Sequence, residues 1–209
     1  MVQAAVKPEL ASRPADVPSS GDPIVLRMPE GVLTDALLIE ISNCNEPLHF
    51  ERSPEGALEI SPPPGTPSGR IFAQILQWSD EEERGESFPS GSGFSLSIGS
   101  ARDADSAWVS NERLQDAGTD SEGLWDVCPD LVVEVRSKGQ TIRRQQEKME
   151  EWMAAGARLG WLIDPFTDDG IAWLYREGTD EPDRLERPDS VSGEGVAEGL
   201  TVDLAKVWR

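Results

Sequence analysis

The chain has 209 residues, of which 37% are hydrophobic, including seven Trp and five Phe; this composition excludes a wholly disordered acidic protein. The 39 Asp and Glu against 19 Lys and Arg give a net charge of −20, which repels nucleic acid and anionic membranes at long range and favours basic partners. Two cysteines and one histidine exclude a disulfide framework and His-rich zinc sites, and they restrict any Ser-His-Asp triad to His49.

The apolar runs of the chain are short. None approaches the roughly 20 residues of a membrane span, and the N-terminal segment lacks the apolar run of a secretory signal. These features predict a soluble, cytoplasmic protein in a reducing compartment, with no membrane contact.

The N-terminal third predicts a tail followed by mixed elements. Residues 1–28 are rich in Pro, Ser and Ala without periodicity, which predicts a flexible tail and leaves 29–209 as the folded domain. An amphipathic helix is predicted after Thr34, a good N-cap residue, because Leu37, Leu38 and Ile41 share one face. Two strands, 48–51 and 57–60, flank a turn at 53–56.

The remaining elements alternate between helix and strand. A second helix is predicted from Ser68 to the acidic run at 80–83, and short antiparallel strands across 85–110. The run 131–135 predicts a strand, and 140–155 a helix that ends at Gly156. Two more strands, 159–163 and 171–175, and a last element near 200–208 complete one α/β domain.

The predicted strand at 131–135 has an unusual polar face. Since side chains alternate across a strand, Leu131, Val133 and Val135 point one way, while Glu134 and Arg136 point the other way with Asp130 and Val132. A solvated outer face explains this pattern, and so does an active-site face that holds Mg²⁺ with carboxylates. Lys148, at the border of the apolar stripe of the next helix, is typical of a surface lysine.

Three segments of the C-terminal half carry a family resemblance. In order and spacing, 129–137 (PDLVVEVRS), 148–152 (KMEEW) and 155–165 (AGARLGWLIDP) resemble the Uma-type restriction endonucleases of the PD-(D/E)XK superfamily. A looser similarity extends from Thr34 to Trp208 and includes 50–52 and 105–109. The resemblance implies a restriction-endonuclease-like α/β fold, with a mixed central sheet flanked by helices and one carboxylate cluster.

The resemblance also implies a set of site residues. Asp105 and Glu134 would be the metal ligands for Mg²⁺ or Mn²⁺, and their separation of 134 − 105 = 29 residues suits neighbouring strands. Glu51 would ligate a metal or orient the attacking water, and Lys148 would hold or help to deprotonate that water. Ala104 departs from the family pattern, because the family usually has proline before Asp105. The resemblance implies that the lysine of the superfamily pattern has moved to the helix in this family, as Lys148, and that Arg136 occupies its usual position, where it could clamp a phosphate.

The implied activity is Mg²⁺-dependent hydrolysis of phosphodiester bonds in DNA, and superfamily precedent leads us to expect a homodimer. Two alternatives stay open: a nuclease-fold acidic binding or regulatory protein without cleavage, and a nuclease acting on RNA or modified DNA. His49 is predicted to be a strand histidine rather than a catalyst. Six basic residues are predicted either to solvate the helix or to form a phosphate-facing patch: Arg136, Lys138, Arg143, Arg144, Lys148 and Arg158.

Overall fold

The computed structural model describes residues 21–63, 65–117 and 123–208. In chain order, the elements of this part are β1 (Ile24–Leu26), α1 (Asp35–Cys44), β2 (His49–Arg52), β3 (Leu58–Ser61), α2 (Thr66–Glu82), β4 (Gly85–Pro89), β5 (Gly93–Ser95), β6 (Ala101–Asp103), β7 (Ser106–Ser110), α3 (Asn111–Asp116), β8 (Leu131–Val135), α4 (Ile142–Ala154), β9 (Leu159–Asp164), β10 (Ile171–Arg176), β11 (Asp183–Glu186), β12 (Ser190–Ser192) and β13 (Thr201–Asp203).

The strands form two large sheets and a small one. A six-stranded sheet has the order β11-β10-β9-β8-β7-β4, a five-stranded sheet the order β1-β3-β2-β6-β5, and β12 pairs with β13. In the six-stranded sheet β8 and β9 are parallel, because α4 makes the crossover that parallel neighbours require; its other pairs are antiparallel. The predicted mixed sheet flanked by helices is therefore confirmed, and the five-stranded sheet is an addition to it.

Strand β8 is covered on both faces. Its Val133 packs in one apolar cluster with Ile71 of α2, and its Val132 packs in another with Met149 of α4. Glu134 lies on the α4 side and is only 3% exposed. The polar face that Glu134 shares with Val132 is therefore not a solvated outer face, because α4 covers it.

The beginning of the folded part differs from the sequence prediction. Residues 24–26 were assigned to the tail, but they form β1, which pairs antiparallel with β3 and places Val25 opposite Glu59. The physical reason is that the run Ile-Val-Leu has high strand propensity and can satisfy the backbone groups of β3. Residues 1–20 of the predicted tail lie outside the described residues.

The main predicted helices are present with small shifts at their ends. Thr34 caps α1 by accepting a hydrogen bond from the Leu37 N–H, and Gly156 follows α4 with φ of 110°, a conformation that glycine adopts without strain. The short helix α3 was not predicted. Among the helices of the described ranges, none combines the length and the apolar character needed to cross a bilayer.

Candidate active site

The four residues that the sequence proposed for catalysis line one cleft. Glu51 comes from β2, Asp105 lies just before β7, Glu134 lies on β8 and Lys148 on α4. The cleft encloses about 60 Å³, which is room for a few water molecules or a hydrated ion. Two sheets and one helix therefore bring together groups that are up to 97 residues apart in sequence, from 51 to 148.

Asp105 and Glu134 occupy facing positions at the end of two neighbouring strands. The antiparallel register pairs Ser106 with Val133, so one further step places Asp105 opposite Glu134. The Asp105 Oδ2 accepts a hydrogen bond of 2.7 Å from the Val135 N–H, which fixes the aspartate against β8. The 29-residue separation is thus bridged by adjacent strands, as the spacing predicts.

The protonation of this carboxyl pair is strongly perturbed. Burial raises the pKa of Asp105 to about 6. Burial also raises the pKa of Glu134 to about 8, since the repulsion from Asp105 and Glu51 adds to desolvation while Lys148 only partly opposes it. The pair therefore lacks enough positive charge around it to keep both carboxyls ionised at neutral pH.

Lys148 is an internal cation rather than a surface residue. Its Nζ lies 3.0 Å from the Glu51 Oε1 and 3.0 Å from the Glu134 Oε1, and it donates a hydrogen bond of 2.7 Å to the Asp103 carbonyl oxygen. Burial disfavours its charge, but Glu134 and Glu51 outweigh burial and raise the pKa of Lys148 above its ordinary value. The surface-lysine interpretation is therefore wrong.

Glu51 is held in its ionised form. Its Oε1 accepts a hydrogen bond of 2.9 Å from the Asp103 N–H. Burial opposes ionisation, but the positive charges of Lys148 and Arg102 outweigh burial and lower the pKa of Glu51. Glu51 and Glu134 thus differ in protonation, although both contact the same ammonium group.

Two polar residues line the cleft although the sequence did not place them there, His49 and Asp103. The His49 Nδ1 lies 2.5 Å from the Asp103 Oδ2, and this hydrogen bond raises the pKa of His49. Asp103 also accepts hydrogen bonds of 2.8 and 3.0 Å from the Gly91 N–H. The available signal was spacing for one pair: His49 is two residues from Glu51 on β2, so the two share a strand face. Alternation could not link Asp103 to Asp105, because Asp103 ends β6 and Asp105 precedes β7 of the other sheet.

The predicted phosphate-facing patch is largely neutralised within the chain. Arg136 pairs with Asp164 at 2.7 Å between Nε and Oδ2. Four of the other five basic residues also pair with carboxylates, namely Arg143 with Glu147, Arg144 with Glu59, Lys148 with Glu51 and Glu134, and Arg158 with Asp130. The patch is therefore largely a set of ion pairs, in which Arg144 and Lys148 line the cleft.

The donor atoms of the cleft suit a hard divalent cation. Within the described residues, no group of three or more His, Cys, Asp and Glu side chains is arranged to hold a metal, as a structural zinc site would require. Mg²⁺ is commonly bound by one or two carboxylates plus waters and substrate phosphate. Asp105 and Glu134 match that requirement, and the raised pKa of both carboxyls indicates a place where added positive charge is favourable.

The solved structures with a similar fold include a nuclease-family protein of bacterial origin. The crystal structure of a putative nuclease belonging to DUF820 from Anabaena variabilis ATCC 29413 matches with a TM-score of 0.60 and 17% sequence identity, covering 76% of this chain and 89% of that chain. This similarity shows the fold alone, which is restriction-endonuclease-like. No curated protein of known function matches the chain.

The family comparison covers the fold and the cleft together. The family model described as "Uma2: Putative restriction endonuclease" matches residues 37–205. This range contains the four candidate catalytic residues of the cleft, Glu51, Asp105, Glu134 and Lys148. It also contains every strand of the two large sheets except β1. The chain therefore belongs to the Uma2 family of putative restriction endonucleases.

Proposed function

We propose that the protein is a Mg²⁺-dependent endonuclease that hydrolyses phosphodiester bonds in DNA. One observation carries the proposal: the Lys148 Nζ lies 3.0 Å from Glu134, while Glu134 faces Asp105 across β7 and β8 in a solvent-connected cleft. Carboxylates on rigid strands beside an amine are the groups that hydrolysis of a phosphodiester requires.

Asp105 and Glu134 would hold Mg²⁺, or Mn²⁺ in its place. The bound ion would neutralise charge on the phosphate and lower the pKa of bound water. Binding of the ion requires Glu134 to lose its proton, because the carboxyl, with its pKa of about 8, is mostly neutral at pH 7 without added positive charge.

Lys148 and Glu51 have different roles in this mechanism. The raised pKa of Lys148 keeps the ammonium protonated, so it would donate a hydrogen bond to the attacking water or the phosphate rather than act as a base. The lowered pKa of Glu51 keeps its carboxylate ionised, so it would accept a hydrogen bond from the same water and orient it. We therefore propose that Glu51 orients the attacking water and does not ligate the metal.

Cleavage of supercoiled plasmid tests the proposal. We expect nicked or linear product with Mg²⁺ or Mn²⁺, none with EDTA, and none from Glu134→Gln, which keeps an acceptor for the Trp152 Nε1–H now bonded to Glu134 at 2.9 Å. Glu150→Gln is the matched control, because Glu150 is exposed on the same helix as Lys148. Equal behaviour of the wild type and Glu134→Gln across metals and substrates would contradict the proposal.

A second candidate function is favoured by the charge distribution. A net charge of −20 and the internal pairing of the basic residues favour an acidic binding or regulatory module with a basic protein partner. Titration with a basic protein and with duplex DNA at matched ionic strength separates the two functions. Tight binding of the basic protein without DNA cleavage would favour the second.

Oligomeric state bears on the product. The described residues of one chain form one candidate cleft, so we propose a homodimer as the form that cuts both strands. Light scattering during size-exclusion chromatography measures the mass, and a monomer is expected to nick one strand.

A further inference from the structure

Arg102 lies directly behind the candidate active site and is completely buried. It belongs to β6 of the five-stranded sheet, and its side chain is 0% exposed. The Nη1 lies 2.6 Å from the Glu59 Oε2, and Nε and Nη2 donate hydrogen bonds of 2.8 and 2.9 Å to the two carboxylate oxygens of Glu151. The Nη1 also lies 3.9 Å from the Glu51 Oε2.

The partners of Arg102 come from both halves of the fold. Glu51 and Glu59 lie on β2 and β3 of the five-stranded sheet, whereas Glu151 lies on α4, which packs on β8 and β9 of the six-stranded sheet. Glu151 is three residues after Lys148, so the two share one side of the helix. The guanidinium therefore joins the sheet that carries Glu51 to the helix that carries Lys148.

The residue after Arg102 makes the same connection with its backbone. The Asp103 N–H donates to the Glu51 Oε1, and the Asp103 carbonyl oxygen accepts from the Lys148 Nζ. The position of β6 thus determines the position of both groups. Any shift of Arg102 relative to α4 would change the distance between Glu51 and Lys148.

The charge of Arg102 is permanent, and its burial needs an explanation. Burial disfavours the guanidinium charge, but Glu51, Glu59 and Glu151 outweigh burial and raise the pKa of Arg102 above its ordinary value. Buried ion pairs are often no more stable than well-packed apolar residues of similar volume. Stability alone therefore does not account for a fully buried arginine among three carboxylates at this place.

We propose that Arg102 is a positioning residue of the candidate active site. By holding Glu151 of α4 and Glu59 of β3, it keeps the Lys148 Nζ between Glu51 and Glu134. The effect on catalysis rests on the proposed function, whereas the effect on the position of Lys148 does not.

The test uses Glu151→Gln rather than a change of Arg102 itself. Arg102→Met would remove the buried cation that contacts Glu51, Glu59 and Glu151 and leave Glu51 with Lys148 and Glu59 with Arg144. This loss of charge is expected to destabilise the fold strongly. Glu151→Gln removes the negative charge of Glu151 and disrupts the two hydrogen bonds that join Arg102 to α4. Glu194→Gln is the matched control, because Glu194 accepts three hydrogen bonds of 2.7 to 3.0 Å from the Nε and Nη2 of Arg176, the same two nitrogens by which Arg102 contacts Glu151. Neither Glu151 nor Glu194 lines the cleft.

The first measurement is the acylation rate of each lysine by an amine-reactive reagent, followed by mass spectrometry. Lys148, which is 14% exposed, is expected to react several-fold faster in Glu151→Gln than in the wild type, while the exposed Lys138 reacts at an unchanged rate. In Glu194→Gln both rates are expected to stay at wild-type values. An unchanged Lys148 rate in Glu151→Gln, or an equal increase in Glu194→Gln, would overturn the positioning role whether or not the protein cleaves DNA.

The second measurement is the cleavage rate with Mg²⁺. Glu151→Gln is expected to lower kcat by about 10- to 100-fold, as a small displacement of a catalytic group does, with KM unchanged because Glu151 does not line the cleft. An active wild type with an unchanged kcat in Glu151→Gln would overturn the proposal. A wild type without cleavage would refute the proposed function, and the acylation rates would then decide the role of Arg102 by themselves.

Discussion

Asp105 faces Glu134 across two antiparallel strands, and the Val135 N–H donates to the Asp105 Oδ2 at 2.7 Å. The two carboxyls differ in protonation from ordinary surface residues, because burial raises the pKa of Asp105 to about 6 and that of Glu134 to about 8. The pair is thus a buried acidic site in which added positive charge and loss of protons are coupled.

The first prediction is that Mg²⁺ binding releases protons. Below pH 8 the Glu134 carboxyl, with its raised pKa, is mostly protonated and must ionise when the ion binds. Apparent Mg²⁺ affinity is therefore expected to increase with pH up to about 8. Calorimetry in two buffers of different ionisation enthalpy measures the released protons.

Glu134→Gln is the control for proton release. It is expected to remove both the binding and the release, while Glu150→Gln keeps them. Mg²⁺ binding with no difference between the buffers would contradict the linkage.

The second prediction concerns stability without added metal. The folded-state pKa of Glu134 is raised from 4.5 to about 8, so between these values the folded protein binds more protons than the unfolded chain. Its contribution to the free energy of unfolding is therefore present at low pH and is lost as pH rises through about 8. One pKa unit corresponds to about 1.4 kcal/mol, so a rise from 4.5 to about 8 corresponds to a loss on the order of 5 kcal/mol.

Urea unfolding of the wild type and Glu134→Gln in EDTA checks this pH dependence. The wild type is expected to lose more stability than Glu134→Gln between about pH 5 and about pH 9. Parallel stability curves for the two proteins would show that Glu134 does not titrate in this range.

Glu134 and Lys148 come from a resemblance that spans one continuous segment of strand, helix and strand; both line the cleft, and their catalytic roles stay a prediction. Asp105 also comes from the resemblance, and its separation of 29 residues from Glu134 is one that adjacent strands can bridge. Arg102 could not be predicted, since its partners Glu59 and Glu151 lie 43 and 49 residues away and the contacts depend on how α4 meets the five-stranded sheet. Alternation along 131–135 likewise gave the two faces of β8, but it could not indicate that helices cover both.

The third prediction concerns the effect of removing the Lys148 ammonium group on stability and on cleavage. Lys148→Met leaves Glu51 and Glu134 without their shared ammonium, which lies 3.0 Å from each. Loss of one partner of a buried ion pair is expected to cost about 3–5 kcal/mol of unfolding free energy, and cleavage is expected to be lost. Thermal unfolding and plasmid cleavage measure the two effects.

Lys148→Arg is the informative companion to Lys148→Met. Arginine keeps the charge, so stability is expected to recover in part, but its planar guanidinium cannot take the position of a compact ammonium between two carboxylates. Cleavage is therefore expected to stay low. Full activity of Lys148→Met would show that the ammonium has no role in the reaction.

The last prediction is a weak salt dependence of DNA binding. Each phosphate contact made by a free cation contributes about −0.9 to the slope of log K against log salt on duplex DNA. Arg136 and Arg158 pair with Asp164 and Asp130, so few of the six basic residues of the predicted patch are free to contact phosphates. We expect a slope equivalent to about one or two phosphate contacts, measured with Ca²⁺ in place of Mg²⁺.

Lys138→Ala is expected to reduce that slope by about one contact, because Lys138 is exposed. Arg143→Ala is expected to change the slope less, because Arg143 already pairs with Glu147. A steep slope that both variants leave unchanged would place the DNA on a surface away from the N-terminus of α4.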